Sequence, residues 1–211
     1  MNAIIICNGN IKEHSDYKEY FDSSDIIICC DGGAAHLRKF NILPDVLLGD
    51  FDSISGDDYN YFKNKAVKII KFPIKKDVTD AEIAVDFAID EGCTDITIIG
   101  AIGSRLDHSI ANIFLLKKML SKKINGKIID GKNKITLLKD RTIIKKENGY
   151  KLSLIPLTQS VTGVTTEGLA YPLNDATIKM GSTWGISNEF IADKATVTLK
   201  SGILIAILSK D

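Results

Sequence analysis

Five short runs rich in Ile and Val alternate with helix-like segments through the first 121 residues: AIIIC (3–7), IIICC (26–30), VLL (46–48), VKIIKF (67–72) and DITIIG (95–100). No other feature narrows the fold as much. A strand that is apolar on both faces must be covered on both faces, so the alternation predicts a parallel sheet between two helical layers. Helices are expected near 15–21, 34–40, 57–64, 79–91 and 107–121. The fourth carries the strongest local signals. Thr79 and Glu82 have the spacing of a capping box, Ala81, Ala84, Val85 and Ala88 share one apolar face, and Gly92 ends the helix.

After Lys122 the rhythm changes. GKIIDGKNKITLLKD, RTIIKKENGYKLSLIPL, ATIKMG and KATVTLKSGILIAILSKD are strand-like, broken by Gly, Asn and Asp turns, with no helical period. They predict a small antiparallel sandwich or barrel. The expected organisation is an N-terminal parallel-sheet (Rossmann-like) α/β domain over 1–121 and an all-β domain over 125–211.

The 211 residues are 45% hydrophobic and 26% charged, which suits an ordinary globular protein. Uninterrupted apolar runs are a few residues long, so no membrane partner is expected. The opening MNAIIICNGN lacks the basic start of a signal peptide and reads as a first strand. Cys7, Cys29, Cys30 and Cys93 contain no C-x-x-C spacing, and are expected as buried free thiols of a reducing cytoplasm. Formal charge is zero overall, but residues 1–121 carry 13 basic against 19 acidic side chains and the remainder 14 against 8. The basic residues of the second half are dispersed along strands, so nucleic acid is not an expected partner.

Ligands of open parallel sheets sit outside the carboxyl ends of the strands. Asp31 follows IIICC, Asp50 follows VLLG, and Asp77 and Asp80 follow KIIKF. Gly100, Gly103, Arg105 and Asp107 follow DITII. A single Asp at such a junction also serves as a helix N-cap. Asp50 and Asp52, in GDFDS, are different because they flank one residue, Phe51. Clustered carboxylates repel unless a cation neutralises them, and hard oxygens without His or Cys suit Mg²⁺, which usually arrives with phosphates. The glycines of DGGAAHL (31–37) and GAIGSRLDH (100–108) allow backbone N–H groups to approach phosphate oxygens. Walker A and G-x-G-x-x-G patterns are absent. Arg105 either neutralises phosphate charge or pairs with Asp107, and His108 adjoins both. His36 falls in a short helix with a structural role, and His14 on a surface loop. Taken alone, the residues indicate a Mg-dependent nucleotide phosphotransferase.

The segments PDVLLGDFDSI (44–54), KKDVTDAEIA (75–84), GAIGSRLDHSIANI (100–113) and GSTWGISNEF (181–190) together resemble the thiamine pyrophosphokinases, in order and across both expected domains. The resemblance implies an α/β domain, a C-terminal β-sandwich and a homodimer with sites at the subunit interface. It also implies the reaction, attack of the thiamine hydroxyl on the β-phosphorus of ATP to give thiamine diphosphate and AMP. Carried over residue by residue, Asp50, Asp52 and Asp77 hold Mg²⁺, Asp80 orients the hydroxyl and Arg105 offsets phosphate charge. Asp31, Gly32, Gly33, Gly100, Gly103, Arg105, Asp107 and His108 frame the ATP. Thiamine is met by Asp80, Ser187 and Asn188, with Tyr171 and Trp184 as candidate ring partners for its cationic thiazolium. For Trp184 the alternative is a partly exposed sandwich aromatic. Two other classes fit the residues without the resemblance: another Mg-dependent nucleotide transferase, and a nucleotide- or thiamine-binding module without turnover.

Overall fold

In the computed structural model the Ile-rich runs are the strands of a parallel sheet. The structure describes residues 1–73 and 77–211; Lys75 and Lys76, which open the KKDVTD motif, lie outside the described residues. Contacts divide the chain into Met1–Gly131 and Lys132–Asp211.

The first unit contains β1 (Asn2–Ile6), β2 (Ile26–Cys30), β3 (Val46–Gly49), β4 (Lys68–Lys71), β5 (Asp95–Ile99) and β6 (Asn125–Ile129). They lie in the order β4-β3-β2-β1-β5-β6, and each neighbouring pair is parallel. The strand Asn125–Ile129, grouped from sequence with the all-β half, bonds along β5 as the sixth parallel strand. The helices are α1 (Lys18–Asp22), α2 (Ala34–Phe40), α3 (Gly56–Asn64), α4 (Asp80–Asp90) and α5 (Leu106–Ser121). Around 15–21 the expected helix is broken at the buried Tyr17, with a 3₁₀ turn over His14–Asp16 before α1.

Strand alternation explains the two layers. Ile4 and Ile6 join Tyr17, Leu37, Leu47 and Phe62 in one core, while the fully buried Ile5 points to the opposite face. There α4 packs on β1, β2 and β3, and α5 on β6. The Thr79 hydroxyl accepts the Glu82 N–H at 3.2 Å, and Ala81, Ala84, Val85 and Ala88 are buried. The Glu82 carboxylate receives Lys118 Nζ of α5 at 2.9 Å, which ties the two helices together.

The second unit contains β7 (Asn133–Leu138), β8 (Thr142–Lys145), β9 (Lys151–Pro156), β10 (Ser160–Glu167), β11 (Ala176–Lys179), β12 (Lys194–Thr198) and β13 (Leu204–Ser209). β13 pairs antiparallel with β7 and β9, and a second antiparallel sheet runs β11-β10-β12-β8. Leu138, Leu154 and Leu204 of the first group share a core with Val161, Val164, Ile178 and Val197 of the second, so the unit is a sandwich. The strand β10 was not among the expected segments. Its register shifts between Val161 and Val164, so both valines point inward although they are three residues apart. A bulge of this kind erases the period-2 signal. No helix among the described residues is long and apolar enough to cross a membrane.

Candidate active site at the carboxyl rim of the parallel sheet

β2 and β3 are neighbours, so the residues that leave their carboxyl ends meet. Asp31 opens a 3₁₀ turn after β2, and Asp50 and Asp52 follow β3. Each of these three residues offers a carboxylate oxygen, and the three oxygens lie within 4.8 Å of one another. Gly49 makes the approach possible. A Cβ on Gly49, whose φ is +154°, would stand 2.7 Å from the Asp31 Cβ.

The GDFDS turn is self-supporting. Phe51 adopts a left-handed φ of +66° and its ring packs 5.3 Å from Tyr59, against the core, which leaves the two flanking aspartates facing outward. Asp50 Oδ1 accepts the Asp52 N–H at 3.2 Å. Ser53 links the cluster twice: its hydroxyl donates to Asp52 Oδ1 at 2.8 Å and its N–H to Asp31 Oδ2 at 3.0 Å.

Asp31 is only 2% exposed, and its Oδ1 is buried without a hydrogen-bond partner. Burial pushes its carboxyl above the usual range. The Ser53 N–H pulls the other way, and the charges of Asp80, Asp50 and Asp52 push it up further. A buried, unpartnered carboxylate oxygen beside two more carboxylates is a costly arrangement unless a cation is its intended partner. The donor set is all oxygen, so the cluster fits Mg²⁺.

Asp77 is exposed, on a bend outside this set of three. Asp80 stands in the first turn of α4, close enough for its charge to act on Asp31 and Cys30. Gly32 and Gly33 continue the Asp31 turn, packed against Asn8 and the Ile6 carbonyl at the end of β1.

The loops after β1 and β5 are zipped together. Cys7, Gly9 and Asn10 donate their N–H groups to the carbonyls of Ile99, Gly100 and Ile102 at 2.8, 2.7 and 3.3 Å. From α5, Asn112 Nδ2 donates to the Ala101 carbonyl at 2.8 Å, and the Ser109 hydroxyl accepts the Gly103 N–H at 3.2 Å while donating to the Arg105 carbonyl at 3.0 Å. Arg105 reaches Asp107 through Nη2 at 2.6 Å and Nε at 3.3 Å, both side chains being exposed. The guanidinium beside it holds the Asp107 carboxyl at about 2. Of the two sequence alternatives for Arg105, the pair with Asp107 is formed here. His108 is exposed in the first turn of α5.

Asn8, Gly9, Ser53, Ser109 and Asn112 were missed as site-shaping residues. CNGN, directly after the first strand, is a turn signal at the same rim, and Ser53 belongs to GDFDS itself.

His36 Nε2 lies 2.8 Å from the Gly9 carbonyl and must carry a proton to donate to it. Burial lowers its pKa from 6.5, partly offset by that bond, with Lys39 adding to the fall. A depressed folded-state pKa means that the unfolded chain takes up the proton first. The His36 contribution to stability is therefore complete above about pH 6.5 and is lost as pH falls through the folded pKa. His36→Gln is expected to flatten the decline of the thermal midpoint between about pH 7 and pH 5. Parallel pH profiles for the two proteins would refute this role.

In the second unit Tyr171 and Trp184 are 70% and 54% exposed. Ser187 has an exposed side chain at a left-handed φ of +57°, with its N–H bonded to Ser153 Oγ at 2.9 Å. Asn188 is buried, and its carboxamide is bonded to backbone on both sides.

Residues 17–128 match the thiamin pyrophosphokinase catalytic domain, and residues 141–204 the thiamin pyrophosphokinase vitamin B1 binding domain. The chain is 34% identical over 209 residues to thiamine pyrophosphokinase from Bacillus subtilis (strain 168), covering 98% of each. The crystal structure of thiamine pyrophosphokinase from Bacillus subtilis superposes with a TM-score of 0.92 at 32% identity, over 100% of both chains. That of thiamin pyrophosphokinase from Geobacillus thermodenitrificans gives 0.87 at 31% identity, over 100% of this chain and 98% of that one.

Proposed function

The chain belongs to the thiamin pyrophosphokinase family, with its catalytic and vitamin B1 binding domains, and on that premise we propose how its residues divide the work of making thiamine diphosphate and AMP from thiamine and ATP. The observation that carries the proposal is the convergence of Asp31, Asp50 and Asp52, one of them buried with an unpartnered oxygen. These three residues would hold Mg²⁺; Asp77, the ligand that the resemblance carried by KKDVTDAEIA implies, lies outside the set and would have to approach the ion once it is bound. The ion supplies neutralisation of the triphosphate charge.

Asp80 is fixed by the capped first turn of α4 and orients the thiamine hydroxyl. As the thiamine hydroxyl oxygen bonds to the β-phosphorus, the hydroxyl proton passes to solvent water. The bond from that phosphorus to the α,β-bridging oxygen breaks, and AMP departs with the bridging oxygen. Arg105 turns its exposed fork from Asp107 toward the phosphates, where it offsets charge. His108 and the Gly100–Gly103 backbone, held by Ser109 and Asn112, border the nucleotide. In the vitamin B1 binding domain, Ser187 offers a hydroxyl and Tyr171 and Trp184 offer ring faces to the cationic thiazolium.

The same reading includes a cytoplasmic homodimer. The four cysteines are free and buried, which suits a reducing compartment. Leu106, Ile110 and Phe114, one helical turn apart on α5, leave an exposed apolar stripe for a second copy to cover. A monomer mass in sedimentation equilibrium would remove the dimer from the proposal.

The deciding experiment incubates the protein with ATP, Mg²⁺ and thiamine and follows the products by phosphorus NMR. Thiamine diphosphate and AMP in equal amounts are expected. Thiamine monophosphate with ADP would overturn the attack on the β-phosphorus even with every ligand in place.

A further inference from the structure

Asn188 lies in the segment GSTWGISNEF, where the family resemblance casts it as a thiamine ligand, yet three of its side-chain hydrogen bonds, including both that its oxygen can accept, are already made within the chain. Oδ1 accepts two backbone N–H groups, from Tyr171 at 3.0 Å and Glu189 at 2.9 Å, and Nδ2 donates to the Tyr171 carbonyl at 2.7 Å. An amide oxygen has two lone pairs, so its accepting capacity is used up. The Asn188 backbone is equally committed, exchanging bonds of 2.8 and 2.9 Å with Leu152 of β9. The segment thus rests on β9 on one side and clamps the 168–171 stretch on the other. There, Ala170 N–H to Glu189 O at 2.9 Å and Ile191 N–H to Gly168 O at 3.0 Å extend the attachment.

The contrast lies in Tyr171. Both its backbone polar groups are held by a buried carboxamide, but its ring is among the most exposed large side chains of the chain. An exposed aromatic with a pinned backbone loses little freedom on binding, because only two side-chain torsions remain to be ordered. Such a ring is a preformed face for a cationic heteroaromatic ligand.

We infer that Asn188 is a positioning residue for thiamine recognition, which acts by fixing the Tyr171 backbone and does not itself touch the ligand. This rests on the proposed function of the vitamin B1 binding domain. It moves the motif asparagine from the ligand's surroundings to the support of the aromatic behind it, and makes Tyr171 the specificity-determining contact.

The test uses Asn188→Asp in the intact chain. This substitution keeps the oxygen that accepts the Tyr171 and Glu189 N–H groups but sets a carboxylate oxygen against the Tyr171 carbonyl. The expected result is a thiamine KM raised roughly tenfold, the scale of one lost and one repulsive polar contact, with kcat and the KM for ATP within about twofold. Tyr171→Ala should raise the thiamine KM at least as much. Adding Asn188→Asp to Tyr171→Ala should then change it by less than about twofold, the non-additivity of two residues acting as one. An unchanged thiamine KM in either single variant, or multiplying effects in the double variant, overturns the inference.

A measurement on the wild-type protein needs no variant to fold. In NMR, added thiamine should move the Tyr171 ring resonances and leave the Asn188 Nδ2 protons nearly unshifted. Equal shifts of both would make Asn188 a direct ligand contact. Absence of thiamine-dependent AMP release from the wild type would instead sink the proposed function, so the two failures are told apart.

Discussion

Asp31→Asn is expected to lower turnover by about 10²-fold or more, the scale for removing one charged element of a preorganised site, while leaving the protein folded. The substituted side chain keeps an oxygen for the Ser53 N–H and fills the same volume, so the GDFDS turn retains its anchor. What disappears is a charge that the fold alone does not favour. Asp31 is buried, its Oδ1 has no partner, and Asp80, Asp50 and Asp52 all raise its pKa. Without Mg²⁺ the variant should therefore melt no lower than the wild type. With Mg²⁺ the wild type should gain stability by ligand linkage and the variant much less. Thermal melts with and without Mg²⁺, paired with AMP release, read both effects. Near-native turnover, or equal Mg²⁺ shifts in both proteins, would take Asp31 out of the metal site.

Gly100→Ala is expected to destabilise the first unit by about 3 kcal/mol, through left-handed backbone strain and a steric clash together. Gly100 has a φ of +70°, and a Cβ there would lie 2.4 Å from the Cys7 carbonyl oxygen. That atom is main chain at the end of β1, and Gly9 bonds the Gly100 carbonyl alongside it, so the clash cannot be relieved by a rotamer change. A drop of roughly 6–12 °C in thermal midpoint follows for a chain of this size. Gly92→Ala is the control. It has a similar φ of +82° with nothing within 4 Å of the added atom, so it carries the strain without the clash. Equal losses for the two substitutions would show that the contact with β1 contributes nothing.

Local signals made much of the α/β half legible. The five apolar runs became strands because short runs rich in β-branched residues, bounded by turn residues, favour extended backbone paired with neighbouring strands, and Thr79 caps α4 by accepting the Glu82 N–H. The same logic stopped at β10, where a register shift at Val161–Val164 breaks the alternation from which a strand is recognised. It also stopped at Asn125–Ile129, because nothing in a short strand's own residues says whether its neighbour lies before or after it in the chain.

By itself the sequence determined which residue types stand at the strand ends, and hence that an acidic, glycine-lined rim would form there. Tertiary structure decided which of those residues meet. Strand order puts β2 beside β3, so Asp31 joins Asp50 and Asp52 across a gap of 19 or more residues, while Asp77, for all its likeness in sequence, lies outside the set. It also decided that the Asn188 carboxamide is spent on the Tyr171 backbone. Both outcomes have one physical reason. A side chain's charge and hydrogen-bonding capacity are written in its chemistry, but whether a partner stands within reach depends on the packing of strands distant in the chain.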